Sequence, residues 1–196
     1  MNIAVYSGSF NPIHKGHLQL AEYVIDQQLA DEVWLVVSPC NPLKEQKDLI
    51  DHFLRLDMVI AAISNRKGIK ASDVEFDMPV PSYSIDTLNE LSKMFPEHTF
   101  TLLIGSDNAL VFDKWKNYGE ILEKYSVLVY PRRGYDFETV SQHFPQMKLL
   151  PTPFYDISST EIRSAIAQNQ SVNEWLEPEV IEFIQENGLY GDKKIR

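Results

Sequence analysis

The apolar run Ile3-Ala4-Val5-Tyr6 leads into Gly8-Ser9-Phe10-Asn11-Pro12-Ile13-His14-Lys15-Gly16-His17, after which Leu18, Ala21, Val24, Ile25 and Leu29 recur at helical spacing. A short β-prone run, a turn rich in Gly, Asn and Pro, and a 3.6-residue period read as strand, tight turn and helix. No other stretch constrains the fold as much, because a strand that feeds a helix this way calls for a parallel neighbour beyond the crossover. In such a unit the turn lies at the carboxyl end of the strand, and the first amides of the helix face whatever binds there. Lys15 and His17 stand near that amino end, where the helix dipole disfavours cations. Two basic groups in that position point to an anion between them, and phosphate is the natural candidate.

The alternation continues down the chain. Glu32 to Ser38 (EVWLVVS) reads as a buried parallel strand, stopped by Pro39-Cys40-Asn41-Pro42. Residues 48 to 64 read as a helix with Leu49, Phe53, Leu56, Ile60 and Ile63 on its apolar stripe. A short strand from Ile69 to Phe76 follows, and Pro79, Pro81 and Ser82 break the pattern. Ser84 is expected to cap a helix whose inner face carries Ile85, Leu88, Leu91 and Phe95. Thr99 to Ile104 and Ser126 to Tyr130 read as further strands, the first ending in Gly105-Ser106-Asp107 and the second in Pro131-Arg132-Arg133-Gly134. Residues 135 to 150 offer at best a helix and a short strand, the chain is helical beyond them, and Lys193 to Arg196 is expected to fray. This pattern predicts an α/β, doubly wound, Rossmann-like parallel sheet of about five to six strands, with helices on both faces and a small helical C-terminal region. With 196 residues, 44% of them hydrophobic, a single domain over 1–196 is expected, its helical part starting near Ser158.

Composition excludes several function classes. A net charge of −10 disfavours a nucleic-acid polymer as partner. No apolar run approaches the roughly 18 residues that span a membrane, and the first residues enter a strand rather than a secretory leader. One cysteine, Cys40, precludes an internal disulfide and a Cys-rich metal site, so a cytoplasmic setting is expected. The first turn lacks Gly-x-Gly-x-x-Gly, which argues against a simple dinucleotide dehydrogenase.

The other informative stretch is Ile157-Ser158-Ser159-Thr160-Glu161-Ile162-Arg163. Ser158 with Glu161 has the spacing of a capping box that opens a helix. That reading leaves out Arg163, and a helix start carrying amides, further hydroxyls and an arginine is chemically a phosphate cradle.

Together, Gly8 to His17 and Ser158-Ser159-Thr160-Glu161-Ile162-Arg163 resemble the signatures of the nucleotidylyltransferase superfamily, Gly-x-Phe-Asn-Pro-x-His-x-Gly-His and Ser-x-Thr-x-x-Arg. The likeness extends to Gly188-Leu189-Tyr190 and is strongest to one branch, the nicotinate-mononucleotide adenylyltransferases. The resemblance implies that Gly8, Ser9, Phe10, His14, His17, Gly105, Asp107, Ser159, Thr160 and Arg163 bind ATP. Asp107 would meet the ribose, and Ser159, Thr160 and Arg163 the outer phosphates. It implies a mononucleotide site of Asn41, Lys44, Ser84, Thr87, Trp115, Lys116 and Arg132. There Asn41 and Lys44 would hold the phosphate, Trp115 would stack on the pyridine, and the Pro81 to Leu88 segment would present backbone groups to its carboxylate.

The chemistry then expected is in-line attack by the mononucleotide phosphate on the α-phosphorus of ATP, with release of pyrophosphate. His14 and His17 would stabilise the charge, with Lys44 and Arg163 at the flanks. Mg2+ would be carried by ATP, with no protein metal site. Two departures concern the acceptor side: Lys116 stands where relatives often have an aromatic residue, and Asn41-Pro42-Leu43-Lys44 lacks the Pro-Pro-His-Lys form. An acceptor such as nicotinamide mononucleotide or phosphopantetheine stays open, as do a non-catalytic nucleotide-binding role and a homo-oligomer.

Overall fold

The computed structural model describes residues 1–39 and 49–191. Six parallel strands form one sheet: β1 (Asn2–Gly8), β2 (Glu32–Val37), β3 (Ile69–Ser72), β4 (Thr99–Gly105), β5 (Ser126–Tyr130) and β6 (Lys148–Leu149), in the order β3-β2-β1-β4-β5-β6. The helices are α1 (Lys15–Asp26), α2 (His52–Ile63), α3 (Ser84–Met94), α4 (Ser106–Ala109), α5 (Tyr118–Lys124), α6 (Phe137–His143), α7 (Ser159–Ala167) and α8 (Pro178–Glu186), with one 3-10 turn at Phe112–Lys114. The strand order reverses between β1 and β4, and in an open α/β sheet such a reversal opens a crevice at the carboxyl ends of the strands.

Period-two alternation divides the strands between two cores. Ala4 and Tyr6, Leu35 and Val37, Leu103, Leu128 and Tyr130 pack with residues of α1, α2, α7 and α8. Ile3 and Val5, Trp34 and Val36, Leu102 and Ile104, Val127 and Val129 pack with residues of α3, α4, α5 and α6. Both faces of β1 are therefore buried, which explains why its sequence is continuously apolar rather than alternating.

Several local expectations are corrected. In α2 the buried residues are Arg55, Met58, Val59 and Ala62, whereas Phe53 and Ile60 of the expected stripe are 59% and 50% exposed. The helix is apolar on two sides, and packing against β2, β3 and α8 selects the side carrying Met58 and Val59. Burying each of these contributes about 1.5–3 kcal/mol. β3 ends at Ser72 rather than Phe76, and α1 ends at Asp26 because Gln28 takes a left-handed φ of 53°, leaving Leu29 beyond the helix but against the core. Ser84 is the first residue of α3, with Tyr83 at the cap. Ser158 does cap α7, but through its backbone position, without a side-chain bond to the helix amides. No helix among the described residues is long and apolar enough to cross a membrane. Cys40, Asn41, Lys44 and the 193–196 tail lie outside the described residues.

Candidate active site

Two adjoining cavities lie at the carboxyl ends of the strands. The larger, about 350 Å³, is bordered by Glu75, the segment Ser82 to Ser84, and Lys114 to Lys116. The smaller, about 250 Å³, is bordered by His14, His17, Asp107, Arg132, Tyr155 and Ser158. Tyr6 and Tyr130 belong to both.

The two histidines of the first turn form one unit. Their rings stack with centroids 3.6 Å apart and planes 19° from parallel. The His14 backbone N–H donates to Nδ1 of His17 at 3.2 Å, which places the proton of a neutral His17 on Nε2. Phe10, in a left-handed conformation with φ 44°, packs edge-on against His17 and Tyr6 and lies under Gly8, where a Cβ would sit 3.0 Å from its ring. Phe10 thus props the turn from behind. His14 is buried, and its Nδ1 has no hydrogen-bond partner. Burial, with the Arg132 charge second, lowers its pKa from 6.5 to about 3, so the ring is neutral near neutral pH. An incoming anion would reverse part of that penalty.

Opposite the histidines, Arg132 Nε lies 3.7 Å from Asp107 Oδ1, and neither atom has a hydrogen-bond partner. Two buried, opposite and unbonded polar atoms beside a cavity are what a ligand with hydroxyls and phosphates could satisfy. The Arg132 backbone N–H donates to Ser106 Oγ at 2.9 Å, which fixes the turn after β5. Arg132, expected at the mononucleotide, thus borders the histidine-lined cavity, next to Asp107.

Other expected phosphate ligands serve the turn itself. Arg163 Nη1 donates to the Asn11 carbonyl at 2.8 Å, and Nη2 lies 3.5 Å from Thr160 Oγ1. Ser159 Oγ donates to the Pro12 carbonyl at 3.0 Å, and Lys15 Nζ to the Asn173 carbonyl at 2.8 Å. In the bonds from Arg163 and Ser159 the turn carries the acceptors and α7 the donors, so the second motif braces the first. Ser9 likewise meets the interior through its carbonyl, an acceptor for Arg55 at 2.6 Å.

The larger cavity has Ser84, Trp115 and Lys116 on its wall, and Trp115 Nε1 is buried without a partner. Lys116 Nζ lies 2.7 Å from Asp86 Oδ2 and 4.9 Å over the Tyr83 ring, so its charge is engaged beside the cavity. Thr87, expected to bind the mononucleotide, is buried and is not on the wall; its hydroxyl donates to Glu75 Oε1 at 2.9 Å.

Sequence reasoning missed three groups. Buried Glu75 accepts from Thr87, from Ser82 at 2.5 Å and from Ser7 at 3.5 Å, joining β1, the cavity wall and α3. Fully buried Arg55 donates to the carbonyls of Ser9, Ser38, Pro39 and Ile50, which offset the desolvation of its charge. The Tyr190 hydroxyl donates to Asn11 Oδ1 at 2.8 Å. The strand-like run over Ile69 to Phe76 and the helical stripe of α2 concealed the first two. For Tyr190, the terminal Gly-Leu-Tyr resemblance was the sole signal.

Comparison with known proteins agrees with this geometry. Residues 5–165 match the family model described as cytidylyltransferase-like. The chain is 42% identical over 192 residues to the "Probable nicotinate-nucleotide adenylyltransferase" of Cytophaga hutchinsonii, covering 98% of this chain and 100% of that one. It is 45% identical over 180 residues to the protein of the same name from Bacteroides fragilis, covering 92% and 89%. Among solved structures, the nicotinic acid mononucleotide adenylyltransferase of Plasmodium falciparum complexed with NaAD shares the fold with a TM-score of 0.81. It is 24% identical, over 96% of this chain and 97% of that one. Family model, full-length relatives and fold agree: the chain belongs to the cytidylyltransferase-like family, in its nicotinate-nucleotide adenylyltransferase branch.

Proposed function

We propose that this protein transfers the adenylyl group of ATP to nicotinate mononucleotide, forming deamido-NAD and pyrophosphate. One observation carries the reading in the structure: a cavity bearing paired histidines and unbonded Asp107 and Arg132 atoms adjoins one bearing Trp115 and the amino end of α3. Full-length relatives named for this activity support it, at 42% and 45% identity.

In this reading ATP occupies the smaller cavity. Asp107 accepts from ribose hydroxyls, while His14, His17 and Arg132 surround the α-phosphate. His17 Nε2–H is a donor whose orientation is set by the bond at Nδ1. Arg163, Ser159 and Thr160 stand near the outer phosphates. The mononucleotide occupies the larger cavity with its pyridine against Trp115, and its phosphate attacks the α-phosphorus in line. The departing pyrophosphate takes the bonding electron pair, so no protein nucleophile is required. Mg2+ carried by ATP would neutralise phosphate charge. Among the described residues no cluster of three or more acidic, His or Cys side chains could hold a metal, so phosphate oxygens and water would be its ligands. The single cysteine fits a reducing, cytoplasmic setting.

Acceptor preference rests on the helix rather than on Lys116. The amino end of α3 carries partial positive charge, which favours a carboxylate over a carboxamide. Lys116 is already paired with Asp86. The test is pyrophosphate release from ATP and Mg2+ with nicotinate mononucleotide, nicotinamide mononucleotide or phosphopantetheine in turn. Highest kcat/KM with nicotinate mononucleotide is expected. No release with it, or a higher kcat/KM with another acceptor, overturns the proposal.

A further inference from the structure

Among the described residues, the two cavities have two wall residues in common, Tyr6 near the end of β1 and Tyr130 at the end of β5. These strands are not neighbours, because β4 runs between them. The hydroxyls nevertheless meet, 3.2 Å apart, with the rings edge-to-face at 5.9 Å. What permits this is Gly105, the register partner of Tyr130 on β4. A Cβ there would overlap Asp107 Oδ1, and would stand 3.2 Å from Tyr130 Cζ and 3.1 Å from Arg132 Cγ. The absent side chain is the space through which the Tyr130 ring approaches Tyr6.

The pair has a spare donor. Two hydroxyls carry two hydrogens, and their mutual bond uses one. Arg132, whose guanidinium carbon lies 5.6 Å over the Tyr130 ring, offers no acceptor. Whichever way the mutual bond runs, one O–H is left to point out of the pair. Both residues are nearly buried, and burial raises the pKa of each phenol, so they remain neutral donors throughout the ordinary pH range. Tyr6 also lies edge-on to His17 at 5.9 Å. The spare hydrogen is therefore held between the histidine pair and the Trp115 cavity.

We propose that Tyr6 and Tyr130 act together as a catalytic donor pair that contacts the phosphate in transfer where the two cavities join. The inference rests on the function proposed above and deepens it. With ATP in one cavity and the mononucleotide in the other, the attacking oxygen and the α-phosphorus have to meet at the shared wall. The bridging phosphate gains negative charge as the reaction proceeds, and a fixed donor in a low-dielectric setting is worth most to that developing charge. Ground-state binding of either substrate gains little from it, so the contribution belongs to turnover.

The test compares wild type with Tyr6→Phe, Tyr130→Phe and the double variant, all of which keep the rings that fill the core. Pyrophosphate release with ATP, Mg2+ and nicotinate mononucleotide would give kcat and both KM values, alongside thermal melts. The single variant that removes the hydroxyl presenting the spare hydrogen should lose about 10- to 100-fold in kcat, the effect of removing a hydrogen bond to a charged group, and the other, which removes only the hydroxyl that orients it, should lose less. Both KM values should stay within about two-fold. The double variant should be about as slow as the worse single one, because the two hydroxyls present one donor. Both single variants within about two-fold of wild-type kcat would overturn the proposal, as would losses confined to melting temperature or KM, or multiplying in the double variant. A wild type inactive on this substrate pair would instead overturn the parent reading and this inference with it.

Discussion

Acidification should weaken the fold through His14 in particular. Its folded pKa, about 3, lies below its ordinary 6.5 because the ring is buried next to the Arg132 charge. Between these values the unfolded chain holds a proton on this ring that the folded chain does not. Stability contributed by the neutral ring is therefore complete above 6.5 and is lost as the pH falls from there toward 3. At about 1.36 kcal/mol per unit, acidification to about pH 5 crosses about 1.5 units of that window and removes about 2 kcal/mol. Urea denaturation at about pH 7.5 and pH 5 would measure the loss in wild type and in His14→Asn. The packing lost in the variant is present at both pH values, and all other titrating groups are common to both proteins, so the difference between the two losses isolates His14. Wild type should lose about 2 kcal/mol more than the variant. Equal losses would refute the buried, neutral state of the ring.

Three further outcomes are expected. His17→Ala should lower kcat by roughly 10²- to 10³-fold, the usual cost of removing one charge-stabilising donor; near-normal turnover in the pyrophosphate assay would remove His17 from the chemistry. Glu75→Gln should raise the KM for the mononucleotide roughly 5- to 50-fold, because one of the two oxygens that accept from Ser82 on one side and from Thr87 and Ser7 on the other becomes an NH2 donor facing a hydroxyl behind the cavity wall. The KM for ATP should hardly change, and an unaltered acceptor KM would contradict the role. Arg163→Ala should raise the KM for ATP about 10-fold or more, through loss of both a cation and a brace on the turn at Asn11. Calorimetry without ATP should find mononucleotide binding intact, whereas a selective loss of that binding would assign this arginine to the other substrate.

The sheet was legible because its signals are local. Ile3 to Tyr6, Glu32 to Ser38, Thr99 to Ile104 and Ser126 to Tyr130 are short apolar runs bounded by turn residues, and each falls on a strand, β2 stopping one residue earlier at Val37. Helical spacing located the helices between them, but α2 shows the limit of periodicity. Both Phe53/Ile60 and Met58/Val59 are apolar pairs, and only packing against β2, β3 and α8 decides which goes inside. The paired histidines could also be read directly, since a spacing of three brings residues of a helix start onto one side, and they do stack.

Roles that join distant positions were not legible. Ser-x-Thr-x-x-Arg could be recognised as a motif, yet spacing could not say that Arg163 reaches across 152 positions to the Asn11 carbonyl. Glu75 looked like the end of a strand until the fold brought Ser82 and Thr87 to its oxygens. Arg132 borders the histidine-lined cavity because Ser106 holds its backbone there. By itself, the sequence determined the strand-turn-helix unit, the alternation that makes a parallel sheet and the histidine pair, all products of short-range sterics and apolar period. Only the tertiary structure decided that Tyr6 and Tyr130, 124 positions apart, share a hydrogen bond over Gly105. That contact depends on strand order and on a missing Cβ, and neither is encoded in the spacing of the residues it joins.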